Sequence, residues 1–269
     1  MAVFVAFEGV EGSGKSTQVH LLYERMLARH LPVVKIREPG STPLGDHLRS
    51  WLKEEASTTP RAELFLFCAA RNQLVTEVIR PALGNGSHVI SDRYSGSTIA
   101  YQAHGRGLGE EVVRPLLELA TEGVEPDLYV LLDVDRDAAS GMFCAYCHGV
   151  KNSAPIDDYG APSEYAPLCF CSMDEEVMER VGRRTGSSQS GFGSLSGKEP
   201  DVRSGSVESM DDEGQRFEEE PLEFHQRVRD GYIGLAKADP ETWLVLDATK
   251  SPEELSDLIW ERVQALLSR

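Results

Sequence analysis

Apolar positions along the chain follow two alternating rhythms. Short, mostly apolar runs at residues 3–7, 33–36, 88–91, 128–134 and 243–246 have the length and composition of strands buried on both faces. Between them, apolar residues recur at helical spacing. From Ser16 on, Val19, Leu21, Leu22, Met26 and Leu27 share one face. A second helix fits residues 43–53. A long one over 61–83 carries Leu64, Phe67, Cys68, Ala70, Leu74, Val75, Val78 and Ile79, and Gly84, Asn85 and Gly86 end it. Further helices are predicted after Tyr94, carrying Tyr101 and Gln102, and over 110–121, 217–237 and 252–267, the last with a proline near its start. Strand–helix alternation of this kind predicts an α/β fold, a five-stranded parallel sheet with helices on both faces. Ligands of such sheets bind beyond the carboxyl ends of the strands.

The rhythm fails between residues 139 and 214. Cysteines and aromatics occupy the first part of that stretch. From 185 to 213 it is rich in Ser, Gly, Asp and Glu, a composition too poor in core residues to fold alone. The expected organisation is therefore a core of residues 1–138 and 215–269, an insertion at 139–184, and a disordered segment at 185–214.

Composition narrows the class. With 269 residues, 41% of them hydrophobic, the chain can bury a substantial core. A formal net charge of -17 argues against nucleic-acid or anionic-membrane surfaces as partners. No apolar run is long enough to span a bilayer, and the first strand follows without a basic leader, so a cytoplasmic enzyme is expected.

The chemistry concentrates where the first strand ends. Gly9, Val10, Glu11, Gly12, Ser13, Gly14, Lys15 and Ser16 match G-x-x-x-x-G-K-[ST], with Thr17 following. Glycines allow the backbone N–H groups to turn toward phosphate oxygens. The lysine supplies charge for the terminal phosphates, and the serine hydroxyl suits Mg²⁺. A helix opening after Gly14 points its positive end at the same anion. Two further strand ends carry polar groups, Arg37-Glu38-Pro39-Gly40 and Asp92-Arg93-Tyr94.

With Phe7-Glu8-Gly9, Ala69-Ala70-Arg71, Ala100-Tyr101-Gln102 and Leu246-Asp247-Ala248-Thr249 added, the chain resembles the thymidylate kinase family of P-loop enzymes. The resemblance implies transfer of the ATP γ-phosphoryl to dTMP, with Mg²⁺. It puts Phe67 against the base ring and Arg71 on the base edge, Arg93 and Arg49 on the acceptor phosphate, and Ser16 and Asp92 on Mg²⁺. Glu11 falls where the sugar 3′-hydroxyl is met, Thr98 and Gln102 where the base is faced, and Tyr101 near the sugar. Lys15, Arg93 and Asp92 then form the catalytic set. Members are commonly dimers, and a homodimer is expected here. Read without the family, Phe67 is better explained as a core residue, and Thr98 and Gln102 equally as ordinary helix polar residues.

Two features depart from that pattern. The loop has no arginine, and the lid position after the fourth strand reads Ala138-Ala139-Ser140-Gly141-Met142. Transition-state charge still has to be met. Arg183 and Arg184, with Arg180, are the candidates in the insertion, and Arg216 lies at its end; a solvated basic cluster is the plain alternative. Of five cysteines, four form Cys144-x-x-Cys147 and Cys169-x-Cys171, the ligand number of a structural zinc site. Free thiols and redox disulfides are the other readings, and His148 could replace one sulfur. Other classes remain open at this point: a kinase for another deoxynucleoside or nucleotide, or a non-catalytic zinc- or redox-sensing nucleotide-binding protein.

Overall fold

The computed structural model describes residues 2–53, 58–134, 217 and 220–268. Five parallel strands form one sheet: β1 Phe4–Glu8, β2 Val33–Arg37, β3 His88–Asp92, β4 Leu128–Asp133 and β5 Trp243–Asp247. Their order is β2-β3-β1-β4-β5. The chain leaves β1 for one edge and later returns to the other side of it. That reversal opens a crevice at the carboxyl end of β1, between β3 and β4. β1 and β3 are buried throughout, their polar residues Glu8, His88, Ser91 and Asp92 included.

The helices are α1 Lys15–Leu27, α2 Pro43–Lys53, α3 Pro60–Leu74, α4 Arg80–Gly84, α5 Ser95–Thr98, α6 Glu110–Thr121, α7 Leu222–Ala238 and α8 Pro252–Leu267. Along one sheet face Phe4, Ala6, Ile36, Val89 and Tyr129 pack with Leu74, Val75 and Ile79. α1 is tied to α8, where Gln18 Nε2 donates to the Pro252 carbonyl at 2.9 Å. Ser251 and Glu254 cap α8 reciprocally, two orphan N–H groups being satisfied at once.

Three differences from the sequence expectation have physical reasons. β1, β2, β3 and β5 each run one residue further, to Glu8, Arg37, Asp92 and Asp247. These polar ends are held by backbone pairing, for example Phe7 opposite Asp92 and Arg37 opposite Asp92, which hydrophobicity does not register. The helix expected from residue 217 begins instead at Leu222. Pro221 occupies its N-cap in extended conformation, and a proline disfavours helical conformation in the residue before it. Finally, the helix over 61–83 is not α throughout. A π-helical turn, Val75–Ile79, joins α3 to α4, and a second, Ile99–Gly105, follows α5. Wide turns of this type re-aim the side chains that follow. The second one carries Tyr101 and Gln102.

Candidate active site

The loop after β1 takes the conformation its glycines permit. Gly9 has φ +143°, and a Cβ there would stand 2.6 Å from the Leu132 carbonyl oxygen on β4. Gly14, at φ +85°, is the N-cap of α1 and supplies no side-chain cap. The first-turn N–H groups of α1 therefore face outward with no side chain bonded to them, and the helix end is positive. Lys15 is buried and folds back over the loop, its Nζ donating to the Val10 carbonyl at 2.7 Å and to Ser13 Oγ at 3.4 Å. Burial lowers its pKa to about 8, with repulsion from Arg93 adding to the effect. Thr17 is exposed on the same turn.

Ser16 Oγ donates to Asp92 Oδ2 at 2.7 Å, so α1 and the end of β3 meet. The other carboxylate oxygen of Asp92 is buried without a hydrogen-bond partner. A hydroxyl beside a carboxylate oxygen left open is the donor set of a hard cation that takes its remaining ligands from phosphates and water. Among the described residues no group of three or more His, Cys, Asp or Glu is placed to hold a metal by itself.

Arg93 follows at φ +71°, in the left-handed region, which turns its side chain back across the loop. Nη2 donates to Glu11 Oε1 at 2.8 Å. Nη1 reaches the Gly9 carbonyl at 3.0 Å, Ser97 Oγ at 3.2 Å and the Tyr232 hydroxyl at 3.3 Å. The Tyr101 hydroxyl donates to the second Glu11 oxygen at 2.6 Å, and its ring lies under the Arg93 guanidinium at 5.2 Å. Burial alone would raise the Glu11 carboxyl. Arg93 and Lys15 outweigh burial and hold it below the usual range.

A second group lies after β2 and along α3. Phe67 and Arg71, one turn apart, line a narrow cleft with Glu38, Pro39, Gly40, Ala70 and Leu74. Arg71 is 2% exposed and largely committed within the protein. It donates to Glu38 Oε2 at 2.7 Å, to Thr98 Oγ1 at 2.8 Å and to the Tyr94 carbonyl at 3.1 Å. Five N–H groups are available to an arginine, so little of the fork is left for a base edge. Arg49 donates to the Pro39 carbonyl at 3.0 Å. Burial, with repulsion from Arg37 and then Arg93 and against the pull of Asp92 and Asp46, lowers its pKa to about 10. Arg37 and Arg93 both lie close enough to repel Arg49, with Asp92 and Asp46 among them, inside a chain of charge -17.

The loop and the cleft are joined through one turn. Arg93 bonds Ser97, and Arg71 bonds Thr98 and the Tyr94 carbonyl, all around α5. Beneath this turn lies Glu8, which the sequence reading quoted within a motif and assigned no role. It accepts from the Tyr94 and Ser97 N–H groups at 3.0 and 3.1 Å, from Ser97 Oγ at 2.5 Å and from the Tyr232 hydroxyl at 3.2 Å. Burial pushes it up to about 7 despite these bonds. A carboxylate closing an otherwise apolar strand was the available signal. Glu63, Ser97 and Tyr232 had none, since each acts through a partner distant in sequence, and Glu38 stood only within the polar run that ends β2. The candidates Arg180, Arg183, Arg184 and Arg216, and Cys144, Cys147, Cys169 and Cys171 with His148, lie outside the described residues.

A five-stranded parallel sheet in this order, with a glycine loop leading into α1 at the switch point, is the fold of P-loop kinases. A thymidylate kinase from Ehrlichia chaffeensis has it too, at 24% identity and a TM-score of 0.62, with 98% of each chain covered. The family model for thymidylate kinase matches residues 7–140. The thymidylate kinase of Roseiflexus sp. (strain RS-1) is 38% identical over all of this chain and 96% of its own length. That of Solidesulfovibrio magneticus is 39% identical over 98% of this chain and its own full length. The chain belongs to the thymidylate kinase family.

Proposed function

We propose that this chain is an ATP-dependent thymidylate kinase, transferring the γ-phosphoryl of ATP to dTMP to give dTDP and ADP. The observation that carries this reading is that Arg93 reaches Glu11 of the glycine loop and Arg49 reaches Pro39 on the wall of the Phe67 cleft, each within the other's field. Two guanidiniums so placed suit an acceptor that brings its own phosphate better than an uncharged nucleoside. Family membership and the full-length relatives support the same substrate pair.

In this reading residues 9–17 hold the ATP phosphates, Lys15 swinging from the Val10 carbonyl to the terminal phosphates. Ser16 and Asp92 would hold Mg²⁺, which supplies positive charge to the phosphate oxygens. Arg49 and Arg93 grip the acceptor phosphate, and Phe67 stacks on the base with Arg71, Thr98 and Gln102 at its edge. Glu11 and Tyr101 border the sugar. The nucleophile is an ionised phosphate oxygen, so no strong base is required; position and charge supply the catalysis. The direct test is ADP release with ATP, Mg²⁺ and a panel of deoxynucleosides and their monophosphates. Turnover with thymidine and none with dTMP would sink the assignment.

The reading extends to the insertion. We infer that residues 139–184 form an enlarged lid in which Arg183 and Arg184, with Arg180 or Arg216, replace the absent loop arginine. Replacing Arg183 and Arg184 by Ala is expected to lower kcat for dTMP by about a hundredfold or more with KM little changed. Steady-state kinetics check this, and unchanged kcat removes both residues from the mechanism. Cys144, Cys147, Cys169 and Cys171 are proposed to hold one structural Zn²⁺. About one zinc per chain is expected by elemental analysis of protein purified under reducing conditions, and none found would end that proposal. A homodimer in the cytoplasm completes the picture; no helix among the described residues is long and apolar enough to cross a membrane.

A further inference from the structure

Glu63 on α3 is 1% exposed and lies outside every role given above. Gln102 Nε2 donates to its Oε1 at 2.9 Å. Arg106 Nε donates to the same oxygen at 3.2 Å and Nη2 to the other at 3.3 Å. A carboxylate gripped by a guanidinium offers acceptors only, so the edge of the Gln102 amide that meets it has to be the NH₂ edge. The carbonyl oxygen is thereby turned away from Glu63, and the amide makes no other hydrogen bond among the described residues. One turn earlier, the Thr98 oxygen accepts from Arg71, so its hydroxyl hydrogen points elsewhere. A free amide would rotate to suit either kind of base edge; this one is locked from behind.

We infer that Glu63 is a positioning residue that sets pyrimidine choice, locking Gln102 so that it presents an acceptor to the base. Thymine carries a ring N–H where cytosine carries a lone pair. A fixed carbonyl therefore bonds the first and repels the second. Thr98, with its hydrogen free, complements a carbonyl on the same base. The polarity of the slot is thus written by two buried charges, Arg71 at the base edge and Glu63, which does not touch the substrate. This inference rests on the dTMP reading above.

The test is the ratio of kcat/KM for dTMP over that for dCMP in E63Q, E63D and the unaltered enzyme. Glutamine at 63 can present either edge, so Gln102 regains rotation. The ratio is expected to fall at least about tenfold in E63Q, the size of one lost discriminating hydrogen bond. The fall should come mainly from KM, with kcat for dTMP and the melting midpoint near those of the unaltered enzyme. Arg106 keeps a second carboxylate, Glu220, so E63Q does not strand it. E63D retains the acceptor-only partner and should keep the preference. A ratio in E63Q within about twofold of the unaltered enzyme overturns the inference and leaves the dTMP assignment standing. An unaltered enzyme with no preference for dTMP overturns both. Should E63Q not fold, the exchanged pair E63Q/Q102E carries the test. It again sets an amide against a carboxylate and points an acceptor at the base, so it should prefer dTMP; loss of that preference overturns the inference.

Discussion

Lys15→Met is expected to abolish most turnover, by on the order of a thousandfold, while leaving the protein as stable as before or more so. The two halves of this result come from one fact. An ammonium 6% exposed, with a pKa lowered by burial from 10.5 to about 8, is held in its charged form against its environment. That lowering corresponds to about 3 kcal/mol of cost to folding at neutral pH. The sign is that of a depressed lysine. The cost is full below about pH 8 and disappears as the pH rises toward 10.5, so folding stability rises across that window. Methionine has similar length and no charge, so it removes the cost. An ATP phosphate resolves it differently, by restoring an opposite charge and raising the pKa. ATP binding near pH 8–9 is therefore expected to take up protons, measurable by calorimetry in buffers of different ionisation enthalpy. Urea unfolding at pH 7 and at pH 10 checks the stability half. A methionine variant that loses stability at pH 7 would show that the lysine is there for the fold.

This tension is legible in sequence only in outline. The glycine spacing identifies the loop, and the strand before it and helix after it locate the loop at a strand's carboxyl end. Three helices fall where pattern and capping residues put them: Pro43–Lys53, Glu110–Thr121 and Pro252–Leu267. Each is bounded by local chemistry, such as Ser251 and Pro252 at the start of the last. What the pattern missed is held by contacts between distant residues. Glu8 meets Ser97 across 89 positions and Tyr232 across 224. Glu63 meets Gln102 across 39. Hydrophobic periodicity records which face of an element is buried, and a buried carboxylate is an exception to that rule whose partner has no fixed spacing. The π-helical turn that aims Tyr101 and Gln102 is hidden for a similar reason. Its sequence, IAYQAHG, contains no breaker before its final glycine, and nothing in the pattern marks the wider turn. Arg71 shows the limit from the other side. Its position on α3 next to Phe67 could be read, but its commitment to Glu38, Thr98 and Tyr94 could not.

That commitment gives Arg71→Ala two separable consequences. Arg71 and Glu38 are an ion pair with side chains 2% and 7% exposed, and the second Glu38 oxygen has no hydrogen-bond partner. Burial pushes the Glu38 carboxyl above its ordinary value in spite of Arg71, while Glu38 holds the arginine above its own. Removing the arginine leaves a buried carboxylate with nothing opposite it, and the expected loss of stability is about 3–5 kcal/mol. A carboxyl with a raised folded pKa binds protons on folding, so stability in the variant falls as pH rises from 4.5 toward that raised value. The variant should therefore be less handicapped at pH 5 than at pH 8. Replacing both partners, R71M/E38M, removes the stranded charge and is expected to recover at least half of the lost stability. It should recover none of the dTMP affinity, because the guanidinium at the base edge and its hold on Thr98 are both gone. Urea midpoints at the two pH values separate the first effect, and KM for dTMP reports the second. If the double variant is as unstable as the two single losses added together, the pair is not coupled and Arg71 is held by Thr98 and Tyr94 alone. If dTMP affinity returns in the double variant, the base edge is read without Arg71.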